Sequence, residues 1–223
     1  MRRVSVAAVV FDLDGILVDT EPYWADAKHE VTQAHGGRWR DEAPTEMLGM
    51  SGPEWAQFMR DELAVPLPPQ QIRAEVVAGM LRRIHAGVAL FDGAREAVAA
   101  LAECWPLGVA SSADRPVIEA VLADTGIAGF FDAIVSSDEA GRGKPAPDVY
   151  FAVAEQLGVA PEHAVAIEDS ANGMRSAKAA GMGVIAIPVD HTPVDPDVLG
   201  QADVVLGAIT ELAPAIVERA GGL

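Results

Sequence analysis

Asp12 and Asp14 stand one residue apart where the apolar run "AAVVFDLDG" ends. Two carboxylates this close repel each other and cost solvation when buried, so a fold that keeps them supplies a cation or uses their charge. Glu168 and Asp169, adjacent in "IEDSANG", offer a second pair of acids. Three or four oxygen donors brought to one place describe a hard-cation site of the kind Mg2+ fills. Lys144 is one of 3 lysines against 13 arginines and lies between Gly143 and Pro145. A compact ammonium beside such carboxylates is a partner for a phosphate or a nucleophile. Ser111, in "ASSAD", comes shortly before Pro116, which suits a first helical turn, so its hydroxyl and the nearby amides can face an anion. Ser112 beside it reads as a helix N-cap, and Ser170 as another. Gly15 permits a tight turn close to a ligand.

These residues meet only if the chain carries them to one edge of a sheet. From about residue 90, short apolar runs ("LGVASS", "AIVSSD", "AVAIEDS", "GVIAIP", "DVVLG") alternate with amphipathic stretches. Continuous rather than alternating apolar character predicts parallel strands covered on both faces, with their C-terminal ends on one edge. The run starting near Val4 joins the same sheet. Four strand ends then supply "FDLDG", "ASSAD", "GRGKPAPD" and "IEDSANG", at the edge where open α/β sheets bind ligands. Residues 20 to 90 break the rhythm: "PYWADAKHEVTQAHGG", "GPEWAQFMRDEL" and "PPQQIRAEVVAGMLRRIHAG" have helical spacing with no convincing strand between them. The expected fold is therefore α/β, a Rossmann-like parallel sheet formed by residues 1–18 and 91–223, with an inserted helical unit over 19–90.

Composition narrows the partners. The 223 residues are 50% hydrophobic, enough for a substantial core, and the net charge of -17 disfavours nucleic acid and anionic lipid. The lone Cys104 cannot form an internal disulfide, which fits a cytoplasmic protein. "MRRVSVAAVV" mimics a signal peptide but runs into Asp12 and Asp14 without a cleavage site, and no other run approaches the roughly 18 apolar residues a membrane span needs. The five histidines show no ligand spacing.

In order, the four segments resemble the four motifs of the haloacid dehalogenase superfamily: "DLDGILVDT" the first, Ser111 the second, Lys144 in "GKPAPD" the third and "EDS" the fourth. The helical insertion is similar to the C1-type cap of the subfamily that includes β-phosphoglucomutase and small sugar-phosphate phosphatases. The resemblance implies phosphoryl transfer through an aspartyl phosphate, with Asp12 as nucleophile and Asp14 as general acid and base. It implies Mg2+ on the Asp12 carboxylate, the Asp14 carbonyl and Asp169, with Glu168 beside them, and a phosphoryl clamp from Ser111, Lys144 and Ser112. Glu21 and Trp24 would reach the substrate from the cap, whereas Trp55, Phe58 and Met59, spaced i, i+3, i+4, read as cap core. "LFDGARE" stands where the subfamily usually has a proline-glycine pair at the cap's return.

Hydrolysis is expected over isomerisation. β-Phosphoglucomutases carry a histidine where this chain has Trp24, and a lysine and an arginine that fall at Leu48 and Gly52. An aromatic and apolar cap face is expected to meet a small sugar or polyol phosphate. The alternatives are a mutase of that type and a phospho-acceptor or metabolite-binding protein without turnover. A monomer or weak dimer suffices for a site built from one chain.

Overall fold

Each continuously apolar run becomes a strand. In the computed structural model, which describes residues 5–47, 50–189 and 194–222, the strands are β1 (Ala8–Phe11), β2 (Leu107–Ser111), β3 (Ala133–Ser136), β4 (Ala164–Glu168), β5 (Gly183–Ala186) and β6 (Val204–Val205). They form one sheet of order β3-β2-β1-β4-β5-β6, and every pairing is parallel. The strand expected from near Val4 begins at Ala8, and Val4 lies outside the described residues.

Among the described residues five helices lie between β1 and β2, the first four being α1 (Glu21–Ala34), α2 (Ala43–Glu46), α3 (Gly52–Asp61) and α4 (Pro69–Ala86). The chain then continues through α5 (Ala94–Ala102), α6 (Arg115–Asp124), α7 (Ser137–Ala140), α8 (Asp148–Leu157), α9 (Ala171–Ala179), α10 (Pro196–Leu199) and α11 (Pro214–Ala220). Successive strand residues point to opposite sheet faces. Val9 and Phe11 pack with α5, α6 and α11, while Ala8 and Val10 pack with α8, α9 and α10. Burial on both faces explains the absence of alternation in the strand sequences.

The first hydrophobic cluster continues without a break into the four-helix segment, where Trp24, Trp55, Met59, Ile72, Val76 and Met80 are buried together. The α4 helix also packs against α6. Both passages of the chain between segment and sheet lie side by side. Val18 forms an antiparallel bridge with Leu90, and the Phe91 amide donates to the Leu17 carbonyl at 2.9 Å. Gly93, in the return stretch "LFDGARE", takes φ +82 and caps the start of α5.

One local expectation is corrected. Ser112 does not cap α6; Asp114 does, its carbonyl accepting the Val117 and Ile118 amides at 2.9 and 3.1 Å. A proline without N–H is tolerated only in the first turn, so Pro116 fixes the helix start at Arg115 and the cap one residue before it. Ser170 caps α9 as expected, accepting the Gly173 amide at 3.0 Å.

Candidate active site

The strand order reverses direction between β1 and β4, and a crevice opens there beyond the strand ends. In-register pairing of Phe11 with Ile167 sets Asp12 beside Glu168, and the Asp12 amide donates to the Ile167 carbonyl at 3.0 Å. Register alone thus brings together two acids more than 150 residues apart in sequence.

Lys144 arrives on the loop between α7 and α8 and is buried. Its ammonium donates to Asp12 Oδ1 at 2.6 Å, to Glu168 Oε1 at 2.6 Å and to the Ala110 carbonyl at 3.0 Å, which commits all three protons. Burial opposes its charge, but Asp12 and Glu168 outweigh that cost and push its pKa above the ordinary lysine value. Glu168 is wholly buried. It accepts from the Tyr150 hydroxyl at 2.7 Å and the Ser170 hydroxyl at 3.1 Å, and its carboxylate lies flat on Gly173, where an added Cβ would sit 1.9 Å away.

Gly15 has φ +83, and a Cβ there would stand 2.2 Å from Asp169 Oδ2. The close approach anticipated from the sequence is thus between the turn after β1 and the acid after β4. Asp14 points elsewhere, taking a hydrogen bond from the Thr20 hydroxyl. Asp12, Glu168 and Asp169 can present carboxylate oxygens within 4.8 Å of one another.

The electrostatics follow from this crowding. Burial, opposed by Lys144 and reinforced by Glu168 and Asp14, pushes the Asp12 carboxyl up to about 8. Burial, with Glu168 and Asp12, pushes Asp169 to about 9, and burial raises Asp14 to about 6 against the Thr20 hydrogen bond. One lysine does not balance these acids. Buried carboxylates with more negative charge than their own protein offsets, all with hard oxygen donors, fit a divalent cation such as Mg2+.

A single cavity of about 290 Å³ is lined by Asp12, Asp14, Ser111, Ser112, Lys144 and Asp169 from the sheet edge, and by Glu21 and Trp24 from α1. Glu168 is the one expected site residue that does not line it; its oxygens face Lys144, Tyr150 and Ser170. Ser111 ends β2, and its hydroxyl accepts the Ala113 amide at 3.0 Å. The Ser136 hydroxyl, at the end of β3, braces the same loop by donating to the Ala113 carbonyl at 2.7 Å.

The sequence reading missed several residues. Tyr150 on α8 donates to Glu168, and Thr20, six residues after Asp14 and within "DLDGILVDT", donates to Asp14. Trp55, expected only in the cap core, also lines the cavity, its ring centroid 6.1 Å from that of Trp24. Lys28 lines it too, so the cap-side wall is not the apolar face expected. Glu21, Trp24 and Lys28 follow the i, i+3, i+7 spacing of one helix face, the signal that would have found it. Leu48 lies outside the described residues, and Gly52 opens α3 with the Arg73 guanidinium packed on it.

Residues 6–181 match the haloacid dehalogenase-like hydrolases. The chain belongs to that family. Among curated proteins it is 35% identical over 214 residues to hexitol phosphatase B of Escherichia coli (strain K12), covering 93% of this chain and 95% of that one. It is 31% identical over 191 residues to fructose-1-phosphate phosphatase YqaB of the same organism, covering 81% and 96%. Its structure is similar to crystalline CbbY from Rhodobacter sphaeroides in complex with phosphate, with TM-score 0.87, 32% identity and coverage of 96% and 99%. The protein is a haloacid dehalogenase-type hydrolase of phosphate monoesters. No helix among the described residues is long and apolar enough to cross a membrane.

Proposed function

We propose that this hydrolase is a Mg2+-dependent phosphatase for a small phosphorylated sugar or polyol and works through an aspartyl phosphate on Asp12. The observation that carries the reading is the convergence of the Asp12 carboxylate, the Lys144 ammonium 2.6 Å from it, and Asp169 in one cavity at the sheet's switch point. The hexitol and fructose-1-phosphate phosphatase relatives support the substrate class.

An Asp12 carboxylate oxygen attacks phosphorus in line, and the bond to the sugar oxygen breaks. Asp14, held by Thr20 and raised to about 6, carries the proton that the departing alkoxide takes. The same carboxylate then removes a proton from the water that attacks the acyl phosphate, releasing inorganic phosphate and restoring Asp12. Ser111, with Ser112 beside it, contacts the phosphoryl oxygens, and the Lys144 charge stabilises them across space while its three protons stay with Asp12, Glu168 and the Ala110 carbonyl. Glu168 and Tyr150 hold Lys144 in place. Asp12, Asp169 and the Asp14 carbonyl would hold Mg2+, which would neutralise phosphoryl charge there.

Residues 19–90 form the cap in this reading, and residues 1–18 and 91–223 the catalytic core. Glu21 and Trp24 meet the organic part of the substrate, and the paired Trp24 and Trp55 rings give an apolar wall for a sugar face. Such a cap excludes water during ester cleavage.

Purified protein assayed for phosphate release from a panel of sugar and polyol phosphates, with Mg2+ and with EDTA, tests the reading. Release that requires Mg2+ is expected. A stable phosphoprotein without release would instead indicate a phospho-acceptor. Sustained conversion of β-glucose 1-phosphate to glucose 6-phosphate, primed by the 1,6-bisphosphate and without matching phosphate release, would indicate a mutase.

A further inference from the structure

Lys28 is a charged residue on the buried face of α1. It is 8% exposed and shares that face with Trp24, Ala27 and Val31. Its ammonium lies 5.5 Å from the Trp24 ring centroid and 5.3 Å from that of Trp55, and the side chain lines the same cavity as Asp12 and Lys144. Glu21 is the acid whose charge supports it, but the two are separated by two helical turns, about 10 Å of axis. Aromatic faces attract a cation without neutralising it, so the charge remains available to a ligand.

The two lysines of the cavity differ in this respect. Lys144 is saturated by Asp12, Glu168 and the Ala110 carbonyl. Lys28 is held by rings. A buried ammonium costs folding free energy unless something compensates it, and a cavity for phosphorylated metabolites offers one compensator, negative charge on the ligand. The attacked phosphoryl group belongs beside Asp12, so Lys28 is left for charge elsewhere on the molecule.

We propose that Lys28 recognises a second anionic group on the substrate, a carboxylate or a second phosphate, apart from the phosphoryl group that Asp12 attacks. The natural substrates are then phosphorylated sugar or polyol derivatives with an acidic substituent, which narrows the class inferred above and rests on that phosphatase reading.

Two matched pairs test this: glucose 6-phosphate against 6-phosphogluconate, and fructose 6-phosphate against fructose 1,6-bisphosphate. The wild-type protein is expected to prefer the acidic member of at least one pair by about tenfold or more in kcat/KM, chiefly through KM. The pair that shows the preference separates carboxylate from phosphate. Lys28→Met, which keeps length and packing, should reduce that ratio about tenfold. Equal wild-type kcat/KM within both pairs overturns the proposal, as does a Lys28→Met variant that loses both members of the preferred pair by the same factor. Turnover of glucose 6-phosphate or fructose 6-phosphate in either case leaves the phosphatase reading standing, whereas no phosphate from any of the four overturns both.

Discussion

Asp12 has two relationships that a single substitution separates. Asn at this position keeps the volume and leaves Lys144 its contact with Glu168, yet it removes the oxygen proposed as nucleophile. Asp12→Asn is expected to retain the circular dichroism of the parent and to lose at least about 10³-fold in phosphate release. Near-parental turnover would eliminate the covalent route. Lys28 gives a prediction of a different kind. Burial, partly offset by Glu21, lowers its pKa from 10.5 to about 8. The folded protein therefore releases this proton before the unfolded chain does. The cost of burying the charge is fully present below pH 8 and fades as pH rises from 8 to 10.5. Lys28→Met should accordingly stabilise the fold at neutral pH by on the order of 1–3 kcal/mol, read from urea melts, with the gain shrinking toward pH 10. Preference for an acidic substrate should fall as pH rises through 8. The charged and titratable groups facing Lys28 across the cavity are Glu21 on its own helix and Asp12, Asp14, Lys144 and Asp169 from the sheet edge. The Lys28→Met variant measured over the same range removes their contribution from the comparison. The aspartate pair was legible in sequence because both its members lie in five residues. Lys28 was legible only through its helical spacing from Glu21 and Trp24; "DAKHE" itself reads as an exposed stretch until the ring of Trp55, from another helix, is placed over it.

Elements were legible to the degree that their burial was uniform. All six strands were visible as short apolar runs because covering the sheet faces leaves polar residues only at strand ends, as with Ser111, Ser136 and Glu168. The four-residue α2, "APTE", has no apolar period to detect, and only the structure places it. Strand order was equally hidden, since it depends on which helices cross which face rather than on any strand's own residues. The contact between α4 and the sheet edge belongs to the same category. Arg73 donates to Asp114 Oδ1 at 2.7 Å and also pairs with Asp138, so one guanidinium on α4 joins the cap of α6 to α7. Burial raises the Asp114 pKa despite that partner. Arg73→Met would leave two acids facing one another across a half-buried junction. It should cost about 2 kcal/mol in denaturant melts and raise KM while leaving the Asp12 chemistry in place. A variant with parental stability and KM would show that the junction holds nothing together.

In the molecule as a whole, helices α1, α2 and α3 and the sheet edge meet at one cavity. The cavity draws its walls from both, so ligand should favour a closed arrangement. Small-angle scattering with Mg2+ and beryllium fluoride is expected to give a smaller radius of gyration than without them, and identical curves would count against closure. The antiparallel bridge between Val18 and Leu90 has a consequence for assembly as well. Val9 must find Leu107 before the sheet can form, and closing so long a loop costs about 4 kcal/mol of chain entropy. If the four helices associate first and their packing offsets the cost of bringing Val18 to Leu90, the loop left to close is far shorter and closing it costs about 3 kcal/mol. The inserted segment would then be a folding chaperone in cis for the central strand that precedes it. Pulse-labelled hydrogen exchange during refolding should show amides of α4 protected before those of β1 and β2. The reverse order would mean that the sheet gathers itself and the helices are added afterwards.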